Sequence, residues 1–198
     1  MVLKKRIAIF GSGGGSNAQS LLDAMKDPAY PAEAVLIFSN KADAFILERG
    51  KKAGVMTVHL DPKGYASRED FDQALVNLLR ELKVDLVCFA GYMRIVTSVL
   101  VKAFAGRILN VHPALLPKFG GAGMYGQHVH AAVLKAGEAE SGASVHRVTE
   151  GVDEGEVVLQ ARVPVLAGDT VESLAKRVLE QEHLIYPQAL RIVAEKLS

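Results

Sequence analysis

Two polar side chains close a short apolar stretch in the middle of the chain. The segment Ile108-Leu109-Asn110-Val111-His112-Pro113 begins like a buried strand and ends in an amide, an imidazole and a proline. Asn110 and His112 are two residues apart, so on an extended backbone both side chains project from the same face. Pro113 ends the strand pairing, because it has no backbone N–H to donate. An amide donor beside a titratable ring suits the stabilisation of a developing oxyanion.

A site of this kind that acts on an acyl group needs a third polar partner. Asp153 is the best-placed carboxylate, because it lies in an acidic loop between two predicted strands and has glycines at positions 151 and 155. Each of the three residues also has an ordinary structural explanation. Asn and His often cap strand ends, and Asp is common in turns.

A glycine-rich loop follows the first predicted strand and opens the first predicted helix, with the sequence Gly11-Ser12-Gly13-Gly14-Gly15-Ser16-Asn17. Exposed backbone amides and the positive end of the helix favour a phosphate there. A dinucleotide fingerprint would need Gly or Ala in place of Ser16 and an acid in place of Ser39-Asn40-Lys41, and the P-loop lysine is missing. We therefore favour a terminal phosphate monoester over a dinucleotide. In a plain tight turn, the third interpretation, Ser16 and Asn17 would only cap the helix.

The elements that position these groups follow from the alternation of short apolar runs with helical patterns. Predicted strands cover residues 7–10, 34–38, 55–60, 84–90 and 108–111, and helices cover residues 16–25 and 42–52 and begin again at Ser67. Such alternation indicates parallel strands with helices on both faces. After Pro117 the pattern predicts an irregular glycine-rich stretch over 118–125, a helix over 128–136, strands over 143–149 and 157–165, and a helix over 170–196 with a bend at Pro187.

The expected fold class is therefore α/β. It is a Rossmann-like, mostly parallel sheet flanked by helices, with a C-terminal strand pair and a long terminal helix, in one domain spanning residues 1–198.

Composition and charge exclude several classes of protein. The 198 residues are 49% hydrophobic, and 23 basic side chains face 22 acidic ones for a formal charge of +1. This balance argues against a dedicated nucleic-acid or membrane surface, and no segment approaches the ~18 apolar residues of a membrane span. Cys88 is a lone cysteine in an apolar run, so we expect a buried thiol and no disulfide. The stretch before the first strand is too short for a signal peptide, and we expect a cytoplasmic protein, either a monomer or a homodimer.

Seven motifs occur in the order in which one enzyme family carries them. They are Gly15-Ser16-Asn17, Phe38-Ser39-Asn40-Lys41-Ala42-Asp43-Ala44, Ala90-Gly91-Tyr92-Met93-Arg94-Ile95, Asn110-Val111-His112-Pro113-Ala114-Leu115-Leu116-Pro117, Ser144-Val145-His146, Val152-Asp153-Glu154-Gly155 and Gln181-Glu182-His183-x-x-Tyr186-Pro187. The series closely resembles the phosphoribosylglycinamide formyltransferases of purine biosynthesis, over residues 7–187. The Asn-x-His-Pro element and the later Asp are shared by enzymes that use 10-formyltetrahydrofolate. The Gly-Ser-Asn loop and the Gln-Glu-His element point to the ribonucleotide enzyme.

The resemblance implies transfer of a formyl group from 10-formyltetrahydrofolate to the amine of glycinamide ribonucleotide, without a metal. It makes Asn110, His112 and Asp153 the catalytic residues. The amide of Asn110 and a protonated His112 would donate hydrogen bonds to the anionic oxygen of the tetrahedral intermediate. Asp153 would hold the imidazolium and help to move the proton from the attacking nitrogen to the leaving one.

The binding residues that the resemblance implies fall into two groups. Those for the ribonucleotide are Gly15, Ser16 and Asn17 at its phosphate and Glu182 at its ribose or glycinamide part. Those for the folate are Met93, Arg94, Ile95 and Val96 around its ring, with Arg68 near the folate tail or the substrate phosphate. His146 would support the catalytic pair. Without the resemblance, residues 93–96 would be a buried helix start and Arg68 an exposed helix arginine.

The chain departs from the commoner family pattern at residues 118–126, a segment we call the flap. The flap is about five residues longer than the usual Pro-Gly loop, in a position where insertions are tolerated. Its four glycines predict mobility above the acceptor site, which leaves the contacts of Tyr125, His128 and His130 open. A metal site at His128-Val129-His130 is disfavoured, because no cysteine or other ligand lies at a useful spacing.

Three alternative functions stay open. A formyltetrahydrofolate hydrolase would use the same Asn-His-Asp core with water as acceptor, but such relatives carry a regulatory domain before the first strand. A methionyl-tRNA formyltransferase would need a C-terminal tRNA-binding domain and a basic face. The third alternative is a nucleotide-binding module without catalysis.

Overall fold

A seven-stranded sheet organises the chain, for which the computed structural model describes residues 4–197. The strand order is β3-β2-β1-β4-β5-β6-β7. The strands are β1 (Lys5–Phe10), β2 (Ala32–Ser39), β3 (Thr57–His59), β4 (Leu86–Phe89), β5 (Ile108–His112), β6 (Glu140–Arg147) and β7 (Val157–Pro164). Neighbours among β1–β5 pair in parallel, whereas β6 is antiparallel to both β5 and β7. The expected mostly parallel sheet with a C-terminal strand pair is confirmed.

Within residues 4–197, six α-helices flank the sheet: α1 (Ser16–Ala24), α2 (Phe45–Lys52), α3 (Arg68–Glu81), α4 (Ser98–Ala103), α5 (Gln127–Lys135) and α6 (Val171–Lys196). The predicted start of α3 is confirmed by its cap, since the Ser67 hydroxyl accepts the Asp70 amide N–H at 3.0 Å. Helix α4 was not predicted, because six residues are too few to show a periodic apolar stripe. Helix α6 continues through Pro187.

The core lies on both faces of the sheet. Helices α1, α5 and α6 cover one face with residues such as Leu21, Val133 and Leu190. On the other face α3 and α4 contribute Phe71 and Leu100. Cys88 is a buried free thiol, as expected. Within residues 4–197, no helix combines the length and apolarity that crossing a membrane requires.

A tyrosine hydroxyl connects α6 to the centre of the sheet, directly below the strand ends that carry the candidate site. Tyr186 is fully buried, and its hydroxyl lies 3.0 Å from the Phe89 carbonyl oxygen and 3.1 Å from that of Leu109. Burial raises the pKa of this phenol well above its usual range, so the hydroxyl stays protonated and donates to the two strands. The contact joins β4 to β5 directly before Asn110, the first residue of the candidate site on β5.

Removing this hydroxyl should destabilise the protein. In Tyr186→Phe the buried carbonyls of Phe89 and Leu109 lose their shared donor, and we expect the free energy of unfolding to fall by about 1–3 kcal/mol. Urea titration followed by circular dichroism measures it. The exposed ring of Tyr125 supplies the control, since Tyr125→Phe should change stability by no more than about 0.5 kcal/mol. Equal stabilities for the two variants would contradict the bridging role of Tyr186.

Candidate active site

The carboxyl end of β5 carries Asn110 and His112 on one face, as the two-residue spacing predicts. The antiparallel register places His146 of β6 directly opposite Asn110. The Asn110 side-chain nitrogen, Nδ2, lies 3.1 Å from His146 Nε2. The other nitrogen of His146, Nδ1, lies 3.0 Å from the Arg147 carbonyl oxygen, to which it donates. Nε2 is then the acceptor, so His146 holds one N–H of Asn110 and fixes the orientation of the amide.

The ring of His112 is buried and fixed at one of its nitrogens. Nε2 lies 2.8 Å from the carbonyl oxygen of Phe119 in the flap, an acceptor that requires a proton on Nε2. Nδ1 lies 3.5 Å from Asp153 Oδ2, which is longer than a normal hydrogen bond. Nδ1 is therefore the nitrogen that gains or loses a proton, and it does so next to a carboxylate.

The carboxylate of Asp153 connects three segments of the chain. Oδ1 lies 3.4 Å from His146 Nε2, and Oδ2 accepts the backbone N–H of Gly121 at 3.1 Å. The flap approaches so closely that a Cβ on Gly120 would stand 2.6 Å from Leu116 Cδ2 and 3.2 Å from Asp153 Cβ. A larger residue at position 120 would therefore require the Leu116 side chain to move.

Burial and charge oppose each other in the pKa values of these groups. Burial lowers the pKa of His112, although Asp153 and the Phe119 carbonyl act in the opposite direction. For Asp153, burial favours the neutral acid, but the neighbouring imidazoles of His146 and His112 and the Gly121 amide N–H together lower the pKa. The carboxylate is thus ionised and ready to stabilise a proton on His112 Nδ1.

A cavity of about 760 Å³ opens over this cluster. Its wall contains most of the residues that the sequence predicts for the site: Asn17, Met93, Arg94, Ile95, Val96, Asn110, His112, His146, Asp153 and Glu182. Residues 93–96 lie at one side, after β4, and Asn17 and Glu182 come from α1 and α6. A tetrahedral oxyanion, an apolar ring and a polar acceptor could therefore be held in one cavity.

Comparison with known proteins identifies the family. Residues 5–190 match the formyl transferase family. The chain belongs to it. Phosphoribosylglycinamide formyltransferase of Escherichia coli is 43% identical over 189 residues, which cover 96% of this chain and 87% of that protein. The trifunctional purine biosynthetic protein adenosine-3 of Drosophila pseudoobscura pseudoobscura is 45% identical over 193 residues, but the chain spans only 14% of its length.

Solved structures give the same family with the same fold. The formyl transferase described here is similar to glycinamide ribonucleotide transformylase 1 from Symbiobacterium toebii, with 47% identity, a TM-score of 0.92 and coverage of 97% of this chain and 88% of that one. Phosphoribosylglycinamide formyltransferase from Brucella melitensis gives a TM-score of 0.90 at 45% identity, covering 98% of each chain.

At the predicted ribonucleotide end of the formyl transferase cavity, α1 and α6 are joined by a buried polar contact. Asn17 Nδ2 donates to Glu182 Oε2 at 2.6 Å. Burial raises the pKa of Glu182 to about 7, which the hydrogen bond from Asn17 only partly offsets. Asn17 Oδ1 is buried and has no hydrogen-bond partner among residues 4–197.

Two of the predicted phosphate residues lie outside the cavity wall. Gly15 has φ +70°, and a Cβ there would stand 2.7 Å from Ile46 Cγ1, so packing on α2 alone requires a glycine. Ser16 lines a neighbouring depression together with Arg49 and His183.

The predicted folate segment of the formyl transferase, residues 93–96, is irregular and partly open. Met93 and Ile95 are 53% and 58% exposed. Arg68 does not line the cavity; its guanidinium donates to the Ile95 carbonyl oxygen at 2.7 Å and so holds the segment in place. Arg94 stacks over the ring of Phe71, with its guanidinium carbon 4.9 Å from the ring centre.

Several supporting residues were missed at the sequence level. The Ser12 hydroxyl donates to Asn40 Oδ1 at 2.6 Å and accepts the Met93 amide N–H at 2.9 Å, which ties the glycine loop to the folate segment. Ser144 donates to the Ala114 carbonyl oxygen at 2.6 Å and accepts from Gln160, fixing the turn after β5. In the sequence, only the small size and the polarity of these residues indicated such contacts.

The flap and α5 place two histidines in opposite environments. His128 is exposed and contacts the Tyr125 ring edge-on, with 5.0 Å between ring centres. His130 is buried and lines the cavity. Within the described range 4–197, no three histidine, cysteine or acidic side chains are arranged to hold a metal ion.

The buried carboxyl of Glu182 should make stability depend on pH in a specific direction. Its folded pKa of about 7 exceeds the unfolded value of about 4.3, so its contribution is fully present at low pH and is lost as the pH rises towards and through 7. Glu182→Gln lacks this loss. We therefore expect the unfolding free energy of the variant, relative to wild type, to increase from pH 5 to pH 8 by up to about 3 kcal/mol.

Urea titrations at the two pH values measure this difference. Glu180→Gln removes an exposed carboxyl from the same helix and should give a difference that varies by less than about 0.5 kcal/mol. A pH-independent difference for Glu182→Gln would show that the carboxyl is ionised throughout.

Proposed function

We propose that this chain transfers the formyl group of 10-formyltetrahydrofolate to the primary amine of glycinamide ribonucleotide, as a cytoplasmic one-domain enzyme of purine biosynthesis. One observation carries the proposal. Asn110, His112 and Asp153 line one cavity, which has an exposed apolar segment at one side and a buried amide–carboxyl pair at another. The relatives that carry this activity in their names support the choice of substrates.

The cluster can stabilise the addition of an amine to a formyl carbon. The neutral amine attacks the carbon, and the carbonyl oxygen becomes an anion. Asn110 has a second side-chain N–H free for that oxygen, because His146 occupies the first. His112, protonated at Nδ1, supplies the other donor, since its Nε2–H is committed to Phe119. Both donors are preorganised by neighbours, which is the condition for strong oxyanion stabilisation.

Asp153 provides the charge that the protonated His112 requires. Its carboxylate lies 3.5 Å from Nδ1, close enough to stabilise an imidazolium and long enough to leave that N–H available to the oxyanion. As the intermediate collapses, the acceptor nitrogen loses a proton and the leaving folate nitrogen gains one. Asp153 assists this transfer through water.

The two ends of the cavity suit the two substrates. Met93 and Ile95 expose apolar surface that a pteridine ring would remove from water. At the other end, the start of α1 offers backbone amides and a positive dipole to a ribose phosphate. Glu182 is placed to accept hydrogen bonds from ribose hydroxyls or the glycinamide.

Loss of the Asn110 amide should reduce catalysis far more than binding. For Asn110→Ala we expect kcat to fall by about 10²–10³ with small changes in KM, because the donor acts on the transition state. Steady-state kinetics at saturating concentrations of both substrates measure kcat. Asn77→Ala, on the exposed side of α3, should retain full turnover. An Asn110→Ala enzyme within about threefold of wild type would remove Asn110 from the catalytic role.

Release of tetrahydrofolate separates this proposal from its alternatives. We expect release only when both 10-formyltetrahydrofolate and glycinamide ribonucleotide are present. Release that does not need the ribonucleotide would identify a hydrolase, in which water replaces the amine. Binding of the ribonucleotide without release would identify a binding module.

A further inference from the structure

Asn40 directly follows β2 and takes no part in the mechanism above, since its side chain lies outside the cavity wall. Strands β2, β1 and β4 are consecutive in the sheet, and they are followed by Asn40, the glycine loop and the predicted folate segment. Ser12, the second residue of the glycine loop, is only 5% exposed and contacts both of its neighbours. One buried side chain therefore connects the segments that follow three adjacent strands.

Ser12 holds the start of the folate segment at two points. Its backbone N–H donates to the Gly91 carbonyl oxygen at 2.9 Å, and its hydroxyl oxygen accepts the Met93 N–H, also at 2.9 Å. Gly91 has a φ of +78°, so the chain turns sharply between these two contacts. The apolar side chains of Met93 and Ile95, which are more than half exposed, follow this turn. The contacts of Ser12 thus determine where the apolar surface at this end of the cavity lies.

Asn40 determines how the Ser12 hydroxyl is oriented. A hydroxyl carries one proton and two lone pairs, and it rotates to suit its partners. The hydroxyl of Ser12 donates its proton to Asn40 Oδ1 at 2.6 Å, which leaves its lone pairs for the Met93 N–H. A hydroxyl that donates is also a stronger acceptor, because hydrogen bonds in a chain polarise one another. The turn that carries Asn40 is itself closed by Ser39, whose hydroxyl accepts the Lys41 N–H at 3.1 Å.

We propose that Asn40 and Ser12 are positioning residues for the folate and act through the Met93 N–H, which they hold in the conformation that binds the pteridine ring. This role rests on the proposed folate site at residues 93–96. Neither side chain lines the cavity, so both act on the ligand through the backbone. When their contacts are lost, the segment adopts other conformations, and the affinity for folate falls with the fraction of molecules that keep the binding conformation.

Asn40→Leu tests the role, because leucine has a similar size and no hydrogen-bond acceptor. We expect the dissociation constant of tetrahydrofolate to rise about five- to tenfold, the effect of one lost hydrogen bond. The kcat at saturating substrates should stay within about twofold, since Asn110 and His112 are held by other contacts. Isothermal titration calorimetry measures the dissociation constant, and steady-state kinetics measure kcat. A residue that only stabilises the fold would lower the thermal midpoint and leave the dissociation constant unchanged.

Asn40→Asp is the conservative variant, because it keeps an acceptor oxygen for the Ser12 hydroxyl. It should bind tetrahydrofolate within about twofold of wild type. Asn77→Leu is the matched control, since Asn77 Oδ1 also accepts a side-chain hydrogen bond, from Gln73 at 2.9 Å, on the exposed side of α3. It should bind tetrahydrofolate as wild type does. If Asn40→Leu does not fold, Ser12→Ala removes the hydroxyl itself and should weaken tetrahydrofolate binding at least about fivefold.

The outcomes separate this role from the proposed function. Weaker tetrahydrofolate binding in folded Asn40→Leu that is restored in Asn40→Asp supports the role. Unchanged binding in Asn40→Leu, or the same weakening in Asn40→Asp or Asn77→Leu, overturns the role even where the wild-type enzyme transfers the formyl group. Wild-type protein that does not bind tetrahydrofolate overturns both. Wild-type protein that binds it without formyl transfer overturns the proposed function alone.

Discussion

The contact on which the site depends is a carboxylate held between two imidazole rings and a backbone amide. Asp153 faces ring nitrogens of His112 and His146 at 3.5 and 3.4 Å and accepts the N–H of Gly121. These partners belong to β5, β6 and the flap, which no local preference would bring together. Without the carboxylate, the buried ring of His112 and the Gly121 amide would lose their partner, and each loss costs free energy. The flap is thereby anchored at its base, although most of its residues are exposed.

The two ends of the cavity depend on contacts of a different kind. At the proposed folate end the chain is irregular, and Ser12 and Arg68 hold it through backbone groups of Met93 and Ile95. At the proposed ribonucleotide end a buried side-chain pair joins two helices. The contacts at the proposed folate end fix the backbone and leave the side chains there free to cover a ring. The buried pair places a titratable group where a charged substrate would arrive.

Much of the fold was predictable because its signals are local. The apolar run before Gly91 and the run that ends at Asn110 are typical of buried parallel strands, and the serine cap of α3 is visible in the sequence. The side-by-side arrangement of Asn110 and His112 needed only the two-residue period of a strand. Strand β6 begins at Glu140, three residues earlier than expected, because pairing with β7 extends it through polar residues.

Other parts of the site could not be predicted, since they join residues far apart in the chain. Ser12 and Met93 are 81 residues apart in the sequence, and no pattern in either segment predicts their contact. The direction of the Arg68 side chain was equally open, because a helix arginine reaches a cavity or a carbonyl oxygen with equal ease. The burial of His130 and the exposure of His128 depend on how α5 packs against α6.

The reversal of strand direction between β5 and β6 has a consequence for variation among relatives. Asn110 and His146 are 36 residues apart in sequence but are a cross-strand pair, and one ring nitrogen determines which way the amide points. A side chain at position 146 that donated instead of accepting would turn the amide over and present its oxygen to the substrate. We therefore expect a change at either position to be tolerated only with a compensating change at the other.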